Sequence, residues 1–337
     1  MSDQKNEDSE SESGHGARTP IHFPPVLNGL DFLESTVTLL GVEGDVPPRN
    51  LKYAVVHLAA AVETLLKARL ALEDPKLVWT RSDQYDEAKH AAGDFSSVGW
   101  EDARKRVKRE CPPETELLEP RYFKALADMR NRFAHVGVTE HALPVEVLTT
   151  PMLDFLLAFV HTDVLPLVPD EESSDAEDTM ERIRPALGRI RPLVDQRMEF
   201  ARELQARGWI HVLPCRVCAA LAVPIEGGTD TITCVVCHHD YGTPTEAAWA
   251  YADSSEYEVV TDGGEYPVWD HDECGGAVTH VPTGVAEDET ETRVLLCLSC
   301  GSECEGLCGF CGQATSSFAI PEADMCDNCF GYKMERF

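Results

Sequence analysis

Six short knuckles crowd the last third of this 337-residue chain: CRVC at 215–218, CVVC at 234–237, HDEC at 271–274, CLSC at 297–300, CGFC at 308–311 and CDNC at 326–329. Two residues between ligands let a tight turn aim both side chains at one point, so knuckles taken in pairs make four-donor sites. Twelve of the thirteen cysteines lie between Cys215 and Cys329, and only Cys111 precedes them. The chain therefore divides into two regions with different stabilising chemistry.

In an exported protein so many cysteines would suggest disulfides. The N-terminus, MSDQKNEDSESESGHGARTP, is polar and acidic and lacks the apolar run of a signal or transit peptide; it reads as a disordered tail over 1–24. Reduced thiolates on zinc, in a cytoplasmic protein, are the expectation. Cys215, Cys218, Cys234 and Cys237, with 15 residues between the knuckles, fit a zinc ribbon over 211–245 whose hairpin is expected in EGGTDTIT. Cys308, Cys311, Cys326 and Cys329 repeat the design over 304–337 with 14 intervening residues, and Gly309 and Gly312 relax the first knuckle. Between them, Cys274, Cys297 and Cys300 suggest a further ribbon over 266–303, with His271 as fourth ligand and His280 or Cys304 as alternatives. Modules of about 35 residues bury too little core to fold unaided, whereas structural zinc supplies on the order of 10 kcal/mol of coupled folding energy. Two or three structural zinc ions are expected.

Upstream the pattern is helical, and the fold class expected overall is an all-α bundle followed by small zinc-ribbon β modules. After VPPRN, with Asn50 a candidate cap, the run from Leu51 to Asp74 carries Leu51, Val55, Leu58, Val62 and Leu65 at helical spacing. The stripe passes from there to Leu66, Leu70 and Leu72 and avoids Arg69. Glu63 and Lys67 form an i,i+4 pair. Further helices are expected in VLNGLDFLESTVTLL, PRYFKALADMRNRFAH and PVEVLTTPMLDFLLAFVHTDVL, giving a bundle over 25–168. Asp154, His161, Asp163 and Pro166 interrupt the most apolar stretch, which argues against a membrane span. VPDEESSDAED reads as a solvated linker, followed by helix broken at Pro185 and Pro192, so that 169–210 joins the bundle to the cysteine region.

A formal net charge of -30 excludes a broad basic surface of the kind that coats nucleic acid. The exception is local: from 104 to 135, nine Arg or Lys face five Asp or Glu. Arg104, Lys105, Arg106, Lys108 and Arg109 lead into ADMRNRFAHVG, where Arg130, Asn131, Arg132 and His135 share about one and a half helical turns. With 20 Arg and 12 His in the chain, an Arg-to-His spacing of four to six residues is expected roughly twice by chance, so its context must supply the specificity. That context is a helix end before Gly137, with Asn131 and His135 on one face. On a regular helix Arg130 and His135 point about 140° apart, so some further device must bring them together.

RNRFAH, with the upstream helix containing HLAAAVETLLKARL, resembles the motif and core helix of the HEPN superfamily of helical nucleotide-binding domains, over about 25–168. The resemblance implies a metal-independent endoribonuclease of defence, toxin-antitoxin or RNA-processing type, acting as a homodimer on RNA. His135 would shuttle a proton during 2′-hydroxyl attack, Arg130 would stabilise the phosphorane and Asn131 would orient the site, with Arg132 and the 104–109 cations gripping RNA. The competing reading is a non-enzymatic adaptor in which an inactive bundle dimerises or binds nucleic acid and the zinc ribbons recruit a protein.

Overall fold

The computed structural model describes residues 22–136, 139, 142–206, 211–262, 266–285 and 291–335. Of the tail expected at 1–24, residues 1–21 lie outside these, as does Gly137.

Two helices form the centre of the N-terminal region, α1 (Pro25–Leu40) and α2 (Pro48–Glu73). Each opens on a proline at its first position, where the missing N–H has no intrahelical partner to lose. Asn50, expected as the cap of α2, lies inside its first turn and donates instead to the Leu39 carbonyl at 3.2 Å, satisfying the last turn of α1. Val26, Leu30, Leu33, Val37 and Leu40 of α1 are buried against the predicted stripe of α2. Contact is closest at Gly29, where a β-carbon would stand 2.6 Å from Leu65 Cγ. Arg69 is more covered than its place off the stripe suggested: its side chain is 11% exposed and pairs with Glu73 at 3.2 Å. The expected Glu63–Lys67 pair forms at 2.7 Å.

Residues 75–99, with the short α3 (Glu87–Ala92), wrap Trp79, whose indole stacks on Phe95 at 4.7 Å and donates to His90 Nδ1 at 3.1 Å. Next come α4 (Trp100–Glu110), α5 (Pro120–His135) and α6 (Ala142–Phe159), the last running into a wide turn at Val160–Val164. Val147–Leu167 is long and apolar enough to cross a bilayer, but 61% of its apolar window is buried within the protein, as in a core helix. Its polar interruptions have structural partners. Asp163, buried, accepts the Glu114 and Thr115 amides at 2.6 and 3.1 Å, and Asp154 pairs with Arg197 at 2.5 Å.

The acidic stretch after 169 is not a linker. It forms α7 (Asp170–Leu187), whose first turn sets Asp170, Glu171 and Glu172 against the positive end of the helix dipole. Its other face buries Ala176, Met180, Ile183 and Leu187, and Arg182 grips Glu34 of α1 through two bonds of 2.9 and 3.1 Å. The acidic pattern concealed an amphipathic helix because its apolar face begins only at the second turn. Pro185 sits inside α7 without breaking it; the break falls at 188–190, and Pro192 is the second residue of α8 (Arg191–Ala206).

The cysteine region is built of small antiparallel sheets. β1 (His211–Pro214) and β2 (Leu221–Ile225) pair around the first knuckle. The hairpin expected between the first two knuckles is thus displaced: EGGTDTIT follows β2 and contributes only an isolated bridge at Thr233. After α9 (Pro244–Tyr251), opened by a Thr243–Glu246 capping box, and α10 (Glu256–Asp262) comes a four-stranded sheet. Its strands are β3 (Val268–Asp270), β4 (Ala277–Val285), β5 (Glu291–Cys297) and β6 (Glu303–Cys304), in that order. Two ladders complete the chain: β7 (Gly306–Leu307) with β8 (Ala314–Thr315), and β9 (Phe318–Ile320) with β10 (Met325–Cys326), before α11 (Asp327–Met334). Leu187, Ile190 and Leu193 share one apolar core with Leu213, Val223 and Val236, so the first module is seated on the helical region.

Candidate functional site

Five of the six knuckles close with the same pair of backbone bonds. The first ligand's N–H reaches the carbonyl five residues on, and the N–H four residues on returns to the first ligand's carbonyl. At Cys215 these bonds are 2.7 and 2.9 Å, at Cys234 3.0 and 2.9 Å, at His271 both 2.8 Å, at Cys297 both 2.9 Å and at Cys308 both 2.8 Å. The turn requires a left-handed residue just after the second ligand, and Ala219, His238, Gly275, Gly301 and Gly312 all have φ between 54° and 76°. Glycine fills three of these positions at no steric cost, while Ala219 and His238 hold a conformation disfavoured by about 1–2 kcal/mol. Of the two glycines expected to relax the CGFC knuckle, only Gly312 is left-handed. The sixth knuckle differs: Cys326 is the N-cap of α11, and Cys329 sits one turn further on.

The knuckles pair as the spacing predicts, giving three tetrads in which all donor atoms lie within 4.8 Å of one another: Cys215, Cys218, Cys234 and Cys237; His271, Cys274, Cys297 and Cys300; Cys308, Cys311, Cys326 and Cys329. Sulfur–sulfur separations are 3.7 Å for Cys215–Cys237, 3.8 Å for Cys218–Cys234, 3.6 Å for Cys274–Cys297 and 3.9 Å for Cys311–Cys326. Two thiolates about 2.3 Å from a tetrahedral ion stand about 3.8 Å apart, whereas a disulfide requires about 2.05 Å. The donors are arranged for a metal ion.

Among the three candidates for the imidazole-site ligand, geometry selects His271. Its Nδ1 lies 3.2 Å from Cys274 Sγ and 3.5 Å from Cys300 Sγ. Its Nε2 is 2.9 Å from Ser316 Oγ of the third module, an outer contact that fixes the ring's orientation. His280 is instead on β4 with its ring edge-on to Trp269, and Cys304 is on β6 opposite Leu295, where burial pushes its thiol up to about 12. No spacing in the sequence points to Ser316. The shared final glycine of HDECG, CLSCG and CGFCG does mark His271 as a first-position ligand.

Electrostatics agree with the geometry. Hydrogen bonds from Cys218, Cys234 and Cys237 hold the Cys215 thiol far below its ordinary range, while the same crowding pushes Cys234 and Cys237 well above theirs. Four sulfurs so close cannot all carry charge without a cation among them. Tyr241, a further contributor that the spacing did not reveal, places its hydroxyl 3.2 Å from Cys215 Sγ and accepts the Arg216 amide at 2.8 Å. The neighbouring polar side chains also have partners within the protein: Arg216 pairs with Asp253, His238 stacks on His161 and His239 meets the Tyr241 ring edge.

The second candidate site lies on α5, which buries only Phe123 and Leu126 and exposes Arg130, Asn131, Arg132 and His135. Arg130 donates to Asn131 Oδ1 at 2.9 Å, and both border a cavity of about 90 Å³ between α2, α4 and α5. His135 does not line it; it lies one turn beyond Asn131, at the last residue of α5. A single chain therefore brings Arg130 and Asn131 together, while His135 points about 140° away from Arg130. The upstream cations are divided. Arg104 donates to the Leu118 carbonyl at 2.8 Å, and Arg106 holds the carbonyls of Leu77 and Trp79 at 2.8 and 2.7 Å, so both serve the fold. Lys105, paired with Glu101 at 2.8 Å, Lys108, and Arg109, paired with Glu110 at 2.7 Å, remain exposed.

The fold and its sites define a helical protein carrying three small β modules, each organised by a tetrad whose donors are spaced to hold a metal ion. No family model, curated protein or solved structure matches the chain.

Proposed function

We propose that this is a dimeric HEPN-type endoribonuclease that cleaves RNA without a catalytic metal, with three structural zinc ions shaping the modules that position it. The observation that carries the reading is the uncovered end of α5: Arg130, bonded to Asn131 and without a carboxylate partner among the described residues, one turn from an exposed His135. A second α5 laid antiparallel supplies the imidazole that one straight helix turns away. One His135 takes the 2′-hydroxyl proton as that oxygen attacks phosphorus, the other protonates the leaving 5′-oxygen, and Arg130 neutralises the phosphorane. The products are a 2′,3′-cyclic phosphate and a 5′-hydroxyl. Zinc suits the thiolate and imidazole donors, and a closed four-ligand site stabilises fold and leaves no position for substrate.

The test compares zinc-loaded wild type with Arg130→Ala and His135→Ala on single-stranded and structured RNA, with EDTA present only during a short assay. Cleavage leaving cyclic phosphate ends, reduced roughly 10²–10⁴-fold in each variant, supports the reading. No cleavage by wild type, or equal cleavage by all three, overturns it.

The adaptor reading is favoured by one separate observation. The third module exposes the apolar side chains of Phe310, Phe330, Tyr332 and Met334, at 51%, 37%, 58% and 59%, which suit contact with a protein. Retained dimerisation and partner capture by a protein that cleaves no RNA would establish it.

A further inference from the structure

The end of α1, the loop into α2, the middle of α6 and the break between α7 and α8 line a cavity of about 360 Å³. It shares no residue with the α5 site or the tetrads. Its volume falls in the range of small-molecule sites. Leu40, Val46, Leu153 and Ile190 make its apolar wall, and the hydroxyl side chains of Thr149 and Thr150, 2% and 7% exposed, lie within it.

The charge on its rim is unusual for this chain. Acidic residues outnumber basic ones 59 to 29, so a lining with more cations than carboxylates runs against the composition. On the same two helices Arg182 takes Glu34 and Arg197 takes Asp154. Arg189 and Arg191, which line the cavity from the α7–α8 break, have no carboxylate within ion-pair distance among the described residues. Asp45 is the one acidic lining residue among those described, so the lining carries a net positive charge. Two arginines lining one partly apolar pocket match an oxyanion head on a compact apolar body, because the fork geometry of arginine binds phosphate and carboxylate through two bonds.

We propose that this cavity is a binding site for a small organic anion, with the phosphate or carboxylate held by Arg189 and Arg191 and the apolar body buried against Leu40, Val46 and Leu153. Both arginines are exposed, so their replacement is expected to spare the fold. The experiment titrates zinc-loaded full-length protein by calorimetry with phenyl phosphate and with benzoate, using inorganic phosphate and benzyl alcohol as controls. The protein is wild type or the double variant Arg189→Gln/Arg191→Gln, with melting curves confirming that both fold. The expected result is saturable binding of phenyl phosphate, benzoate or both, at least tenfold tighter than either control and at least tenfold weaker in the variant. The tighter of the two probes identifies the head group. Absence of saturable binding by both probes, equal binding by the variant, or inorganic phosphate bound as tightly as phenyl phosphate would each overturn the assignment.

Discussion

Gly188 and Cys218 meet backbone to backbone: a β-carbon on Gly188 would lie 1.8 Å from the Cys218 carbonyl oxygen. The residue that ends α7 is thereby fixed by a metal knuckle distant in sequence. Gly188→Ala forces the first module off its seat or distorts the knuckle, with an expected loss of about 2–4 kcal/mol. Gly44→Ala, at φ +80° but in open space, is the control and costs about 1 kcal/mol. Urea unfolding monitored by tryptophan fluorescence separates the two, and a Gly188→Ala protein as stable as wild type would show that the contact does not persist in solution.

Metal content is predicted to be three ions per chain. His271→Ala lowers it to two by elemental analysis after desalting, while His280→Ala and Cys304→Ala leave three. A histidine at position 280 whose loss removed an ion would contradict the placement of His271 Nδ1 beside Cys274 and Cys300.

Arg197 is 7% exposed on its side chain and spans two regions, binding Asp154 of α6 and the carbonyl of Val236 in the second knuckle. Arg197→Leu strands Asp154 and that carbonyl and costs about 3–5 kcal/mol. Asp154→Asn costs less, because an amide still accepts from the guanidinium. A double-mutant cycle by chemical denaturation measures the coupling, and additive losses would show that the two residues act separately.

The His161–His238 stack, with centroids 5.2 Å apart, gives a pH dependence. Burial is the main cause that lowers His161 and brings His238 down to about 3, with Arg197 and Arg184 adding repulsion to a charged ring. Both folded values lie below the unfolded value of about 6.5, so in that window the unfolded chain binds more protons. Stability is therefore flat above about pH 6.5 and falls as pH drops below it, with at most about 1.4 kcal/mol per pH unit from each ring. His161→Phe keeps an aromatic partner for His238 and removes one titration. Unfolding midpoints between pH 7 and 5.5, within metal-saturated buffer, should fall less steeply in the variant; parallel slopes would refute the attribution.

The helices and tetrads were legible in the sequence because both follow from spacing. Burial of Leu51, Val55, Leu58, Val62 and Leu65 requires only the helical period, and CxxC fixes its own turn. What escaped was everything set by distant chain. Nothing local shows that Asp163 will accept the Glu114 amide, that Arg106 will be spent on the carbonyls of Leu77 and Trp79, or that an acidic run will fold as α7 once α1 covers its apolar side. The α5 motif was legible as residues and not as a site: one helix positions Arg130 with Asn131 and turns His135 away from Arg130.

The contacts between modules run in one direction along the chain. The α7 end receives the first knuckle at Gly188; the loop after β2 passes its Gly228 amide to the Ser299 carbonyl of the fourth; and Asp272 beside His271 donates its amide to Ala314 and accepts Asn328 with its carbonyl. Each unit thus rests on the one synthesised before it. A ribosome releasing this chain delivers each module to a platform already built, whereas truncation of the third module also removes Ser316 and Ala314 and so strips the second tetrad of the contacts that orient His271.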